Sequence, residues 1–98
     1  MEIKMQKDLD KLVIALSGRL DTTTAPELEE KFKTELSDVT ELVVDLADLE
    51  YISSAGLRVL LLGQKTMSKQ GKMVVKNANE IIMEIFDVTG FSDILNIE

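Results

Sequence analysis

Between Glu41 and Leu62 the chain reads Glu-Leu-Val-Val-Asp-Leu-Ala-Asp-Leu-Glu-Tyr-Ile-Ser-Ser-Ala-Gly-Leu-Arg-Val-Leu-Leu-Leu. Leu42, Val43 and Val44 form an unbroken apolar run ending at Asp45, the pattern of a strand covered on both faces and lying mid-sheet. A polar link through Asp48 and Glu50 leads to Tyr51 and Ile52, then to Ser53 and Ser54, then to a run of helix formers from Leu57. Ser is among the strongest N-cap residues, because its hydroxyl accepts from an orphan N–H of the first turn, so the pair stands at the mouth of a buried helix. Gly56 inside that helix costs about 1 kcal/mol relative to Ala, which predicts a close backbone approach near the helix start.

A helix N-terminus presents free N–H groups and a partial positive charge, so an anion is favoured there. A serine at this mouth is therefore positioned to carry a phosphate. The plainer role for the same pair is capping, which needs no chemistry at all.

Towards the N-terminus, Ile3 and Met5 alternate with Glu2, Lys4 and Gln6, the period of a half-buried strand. After Asp8-Leu9-Asp10, Leu12, Ile14 and Leu16 share one face of a more deeply buried second strand, and the short break predicts an antiparallel hairpin. Ser17-Gly18-Arg19-Leu20-Asp21 leads out of that strand into Thr22, Thr23 and Thr24. Thr24-Ala25-Pro26-Glu27 has capping-box spacing, and Leu28, Phe32 and Leu36 continue as the apolar stripe of a first helix.

On the C-terminal side, Leu57, Leu60, Leu61 and Met67, widened by Val59 and Leu62, predict a second helix buried over a broad face, with Gly71 placed to stop it. Met73-Val74-Val75 reads as another interior strand. Asn77 or Asn79 can cap a third helix holding Ile82, Ile85 and Phe86, and Gly90 is its stop signal. The tail from Phe91, with Ile94, Leu95 and Ile97, reads either as a short strand or as a last helical turn. The order strand, strand, helix, strand, helix, strand, helix is an α/β pattern, with right-handed crossovers at its parallel steps. It predicts one domain over 1–98, with a mixed sheet of four to five strands and helices packed against it, and without internal repeats or linkers.

Several functions fall away on composition. The chain has 98 residues, no Cys and no His, which removes thiolate zinc sites, the commonest general base and any Ser-His-Asp triad. A formal net charge of −7 argues against a nucleic-acid partner. No apolar stretch approaches the ~20 residues of a membrane span, and Met1 to Asp10 is too polar for a signal peptide, so a cytoplasmic protein is expected. There is no P-loop and no dinucleotide fingerprint. Asp45, Asp48 and Glu50 read as solvated residues of a loop and not as a magnesium site, and Met5, Met67, Met73 and Met83 as core fillers. Neither a catalytic constellation nor a metal or cofactor is expected.

From Asp45 to Leu62 the chain resembles the STAS domains of bacterial anti-sigma factor antagonists, in which a strand ends in an Asp-Leu stretch, a loop follows, and Asp-Ser-(Ser or Thr)-Gly-Leu opens a helix. Gly56 and Leu57 match the end of that motif. Ser53 stands in place of its Asp and Ala55 in place of its second hydroxyl residue. Gly18-Arg19-Leu20-Asp21 followed by Thr24-Ala25 is similar to the Gly-x-Leu-Asp turn and Thr-Ala helix start of the same family. The resemblance covers nearly the whole chain and implies a partner-switching regulator, not an enzyme. By position, Ser54 falls on the phosphorylated serine, with Ser53 as the second choice. The implied partner-facing surface comprises Asp21, Thr22, Thr23, Ser53, Ser54, Ala55, Gly56, Leu57 and Arg58. The implied partners are an anti-sigma factor with serine kinase activity, whose capture by the unphosphorylated form frees a sigma factor, and a serine phosphatase. STAS domains also serve as accessory subunits of membrane transporters, and nucleotide binding at the helix mouth is a further alternative. A hydrolase using Ser54 is the weakest, since no His is present to activate the hydroxyl.

Overall fold

Leu12, Ile14 and Leu16 are buried while Val13 and Ala15 between them are only half-buried, so the second strand turns one apolar face to a core. The computed structural model describes residues 1–98 and arranges four strands in the order β1-β2-β3-β4. These are β1 (Glu2–Asp8), β2 (Lys11–Leu20), β3 (Glu41–Ile52) and β4 (Lys72–Lys76). β1 pairs antiparallel with β2 through a two-residue turn in which Leu9 takes φ 56°; β3 and β4 continue the sheet in parallel. Helices α1 (Ala25–Glu35) and α2 (Ser54–Ser68) make the two parallel crossovers, and α3 (Glu80–Thr89) follows β4.

The buried side chains of all three helices join Leu12, Ile14, Leu16, Leu42, Val44, Met73 and Val75 in one core. Val43 and Val74, partners in the ladder, are buried but lie outside that core. Leu42, Val43 and Val44 are all buried, so β3 lies mid-sheet and closed on both faces as its apolar run predicts. The helix side chains gather in the one core, and outside it Val43 lies between β2 and β4, while Val74 lies between β3 and the tail, which meets β4 at the single bridge of Val75 with Ile97. β1 is less buried than its alternation predicts, with Met5 39% exposed, because it is an edge strand paired only with β2.

β2 and β3 are longer than the sequence pattern indicates. Gly18, Arg19 and Leu20 belong to β2, and the supposed polar link through Asp48 and Glu50 is strand. Two register shifts give β3 extra residues against β2 near Asp45–Asp48 and Leu49–Tyr51. Each extra residue reverses which way the next side chain faces. The core positions Leu46, Leu49 and Ile52 thus recur every third residue, which breaks the alternation by which a strand is recognised.

The ends of the helices follow local chemistry. Asn79 caps α3 by accepting from Ile82 N–H at 2.8 Å, and Gly90 ends it at φ 81°. Gly71 follows α2 as expected, but for a different reason. A Cβ there would run into the Thr40 carbonyl, so close approach and not a left-handed cap requires glycine. Gln70 Nε2 donates to the carbonyls of Leu36 and Val39 at 2.5 and 2.6 Å, tying the end of α2 to the end of α1. The tail combines both of its predicted forms, a 3₁₀ turn over Phe91–Asp93 and then the bridge at Ile97.

Candidate functional site

The C-terminal ends of two adjacent parallel strands deliver the candidate residues. Leu20 closes β2, Ile52 closes β3, and Ser53 N–H donates to the Leu20 carbonyl at 2.9 Å, so the Asp21 loop and the Ser53-Ser54 mouth of α2 are neighbours. Gly56 seals this junction. A Cβ on it would stand 2.7 Å from Leu20 Cγ and 2.8 Å from Ile52 Cγ1. The predicted close approach is thus between α2 and the ends of both strands.

The two serines differ sharply. Ser53 has the extended backbone of an N-cap, φ −99° and ψ 177°, and its carbonyl accepts from Leu57 N–H at 2.9 Å. Its side chain makes no capping bond, and Oγ is shut from solvent without a hydrogen-bond partner. This corrects the capping role predicted for the hydroxyl and leaves the first-turn N–H groups of α2 without a side-chain cap. Ser54, the first helical residue, is exposed.

Asp21 organises the facing loop. Its carboxylate accepts from Thr23 N–H at 3.0 Å, Thr23 Oγ1 at 2.8 Å and Thr24 N–H at 3.2 Å. The Thr23 hydroxyl bond, with the backbone bonds behind it, holds the carboxyl below the usual carboxylate range against the opposing effect of desolvation. The expected capping box does not form. Thr24 Oγ1 instead donates to the Arg19 carbonyl at 2.8 Å and accepts from Asp21 N–H at 2.9 Å, so it braces the turn ahead of α1.

Of the predicted surface, Asp21, Thr22, Thr23, Ser54, Ala55 and Arg58 reach or border solvent, whereas Gly56 and Leu57 are buried and shape the site from beneath. Between the first turns of α1 and α2 lies an open cleft of about 400 Å³. Thr22, Pro26 and Glu29 line one side of it, and Ala55 and Arg58 the other. The sequence reading passes over Arg19 and Tyr51. They are partners in the β2–β3 ladder, and the guanidinium lies 4.6 Å from the Tyr51 ring centroid while its Nε is 3.9 Å from Asp21 Oδ2. No pattern in the sequence could pair them, because the shifted register decides their meeting. No three His, Cys, Asp or Glu side chains gather as a metal site, and no helix is long and apolar enough to cross a membrane.

The family model described as "Mlab, STAS domain" matches residues 3–96. The anti-sigma-B factor antagonist of Listeria monocytogenes is 30% identical over 100 residues, spanning 100% of this chain and 87% of that protein. The crystal structure of an anti-sigma factor antagonist from Mycobacterium paratuberculosis superposes with a TM-score of 0.88 at 24% identity, over 98% of this chain and 83% of that one. The Bacillus protein SpoIIAA is similar in both of its states. Its unphosphorylated form gives a TM-score of 0.78 at 17% identity, over 99% of this chain and 87% of that one, and its phosphorylated form 0.77 at 18%, over 99% and 91%. A parallel-stranded junction that opens a helix with Ser-Ser-Ala-Gly-Leu is thus carried by a chain that belongs to the STAS-domain family of anti-sigma factor antagonists.

Proposed function

We propose that this chain is the phosphorylatable component of a partner switch: an anti-sigma factor antagonist whose unphosphorylated form binds an anti-sigma factor and thereby frees a sigma factor to direct transcription. The anti-sigma factor is itself a serine kinase, Ser54 is its target, and a serine phosphatase restores the free hydroxyl. The module is residues 1–98, it acts in the cytoplasm, and it catalyses nothing itself.

Support comes from one contrast at the mouth of α2. Ser54 is exposed at the first helical position, while the neighbouring Ser53 Oγ is closed to solvent. A kinase can reach only the first without unfolding the junction. In the transfer, the Ser54 oxygen bonds to the γ-phosphorus of ATP as the bond to the β-phosphate bridge breaks; ADP leaves, and a base on the kinase takes the hydroxyl proton.

A phosphate monoester adds about −1.5 to −2 charges at neutral pH. Against a surface complementary to a hydroxyl, its desolvation and its repulsion from nearby acids oppose binding. A penalty of ~2.8 kcal/mol suffices for a 100-fold loss of affinity. Incubation with the cognate kinase and ATP, followed by peptide mass mapping, should find the phosphate on Ser54 and none in Ser54→Ala. Full labelling of Ser54→Ala would move the acceptor to Ser53, and equal binding of both forms would remove the switch.

A further inference from the structure

The chain has two arginines. Arg19 is committed to the Tyr51 ring and to Asp21. Arg58 is exposed and takes part in none of the six ion pairs. It also makes no side-chain hydrogen bond, although most exposed cations in this acidic protein have carboxylates within reach. It stands one turn after Ser54 on α2, at i and i+4, a spacing that sets the two Cβ atoms about 5 to 6 Å apart on one face of a helix. Its guanidinium has the planar fork that matches phosphate oxygens in two parallel hydrogen bonds.

We infer that Arg58 reads the state of Ser54: it offers a free cation to an acidic group of the partner when the serine is bare, and it turns onto the phosphate when the serine is modified. This rests on Ser54 being the acceptor. Phosphorylation then changes the surface twice, adding a dianion and withdrawing the one uncommitted arginine from the cleft beside it. The charges around the phosphate are Arg58 on its own helix, Asp21 on the neighbouring loop with its partner Arg19 near the end of β2, and Glu29, which is paired with Lys33, across the cleft. Both carboxylates favour the singly charged phosphate and both arginines the doubly charged one, so replacing Arg58 alone isolates its share.

The test uses the full chain with phosphoserine incorporated at position 54 during translation, which makes it independent of any kinase. The second ionisation of the phosphate, followed by ³¹P NMR, should lie about 0.3 to 0.7 pH units higher in Arg58→Gln than in the parent, and between the two in Arg58→Lys, whose ammonium keeps the charge but not the fork. In the unmodified protein Arg58→Gln should weaken anti-sigma factor binding about three- to tenfold, with an unchanged amide spectrum elsewhere to show that the fold is kept. Identical titration of parent and Arg58→Gln phosphoproteins overturns the pairing, and unaltered binding by unmodified Arg58→Gln overturns the partner contact. Kinase mapping on the parent separates this from the acceptor assignment. A phosphate found on another residue overturns the switch at Ser54, whereas Ser54 labelling with an unmoved titration removes Arg58 alone.

Discussion

Gly56→Ala offers the sharpest check on how the candidate site is built, because two effects oppose each other in it. Replacing glycine by alanine in a helix normally stabilises by about 0.5 to 1 kcal/mol. Here the added methyl would meet Leu20 Cγ at 2.7 Å and Ile52 Cγ1 at 2.8 Å, where ordinary contact is 3.4–4 Å. Neither atom is the free end of a side chain. Both residues are buried at the ends of paired strands, Leu20 at 0% and Ile52 at 1% exposure, so relief must come from the backbone. Overpacking of this kind costs about 1 to 3 kcal/mol, more than the helix gain returns. The expected net loss is about 1 kcal/mol for alanine and about 3 kcal/mol for Gly56→Val, whose branched side chain adds volume and loses rotamer freedom.

In a domain of this size each kcal/mol moves the melting temperature by about 4 to 8 °C. Thermal and urea unfolding followed by circular dichroism resolve both variants, the urea midpoint shifting without a change in slope. A Gly56→Ala midpoint equal to or above the parent's would mean that helix propensity wins, and that α2 does not press on Leu20 and Ile52 as described. Because Leu20 also accepts the Ser53 N–H, the strain should reach the acceptor region, seen as slower kinase labelling in the folded alanine variant.

Asp21 and Asp38 both ionise below the usual carboxylate range, Asp21 through the Thr23 hydroxyl and Asp38 through the Lys7 ammonium. Their stabilisation is therefore full above the unfolded carboxylate pKa of about 3.9 and is lost as the pH falls through the lower folded values, so Asp21→Asn should flatten the melting temperature profile below about pH 4. An unchanged acid profile in that variant would count against the Asp21 cage. Asn79→Ala removes both the α3 cap and the 3.1 Å bond from Nδ2 to the Leu49 carbonyl and should cost about 1 to 2 kcal/mol by urea unfolding; no loss would discount the cap.

The helices were legible by their apolar stripes, and α3 also by its ends at Asn79 and Gly90. Leu28 and Phe32 in α1, Leu57, Leu60 and Met67 in α2, and Ile82 and Phe86 in α3 are buried as their spacing requires. The strands, the hairpin and the parallel steps were legible from apolar runs or alternation set between polar breaks and helices. What stayed hidden depends on register. The second half of β3 looks like a polar link because two extra residues set Leu46, Leu49 and Ile52 out of alternation, and that same shift brings Arg19 over Tyr51. At the site, the order of residues singled out Ser54, Asp21 and Gly56 as neighbours of a helix mouth. It could not show that the Ser53 hydroxyl is closed to solvent while Ser54 is exposed, since that depends on the docking of Ser53 N–H on a β2 carbonyl distant in the chain. Nor could it tell that Thr24 braces the turn together with Asp21 and does not close a capping box, because both are good partners for free N–H groups.

Phosphorylation at Ser54 should alter binding without refolding the domain, and the reason lies in where the charge falls. Ser54 is exposed, so the phosphate keeps most of its water, and no core side chain has to move. The uncapped first turn of α2, worth about 0.3 to 1 kcal/mol, and the exposed Arg58 attract it, while Asp21 across the junction repels it. Each of these exposed terms is small and they differ in sign, which leaves a small net effect on stability. The partner meets a different balance, since it must dehydrate the dianion and has only the cations of its own surface to compensate. Amide chemical shifts should therefore change around Arg19 to Thr24 and Ile52 to Leu60 and stay fixed in β4 and α3, with the melting temperature moving by no more than a few degrees while affinity falls about 100-fold or more. Shift changes spreading through Met73 to Val75 and into Phe86 would mean that the switch works by rearranging the core, and the preformed surface described for Ser54 and Asp21 would then have to be abandoned.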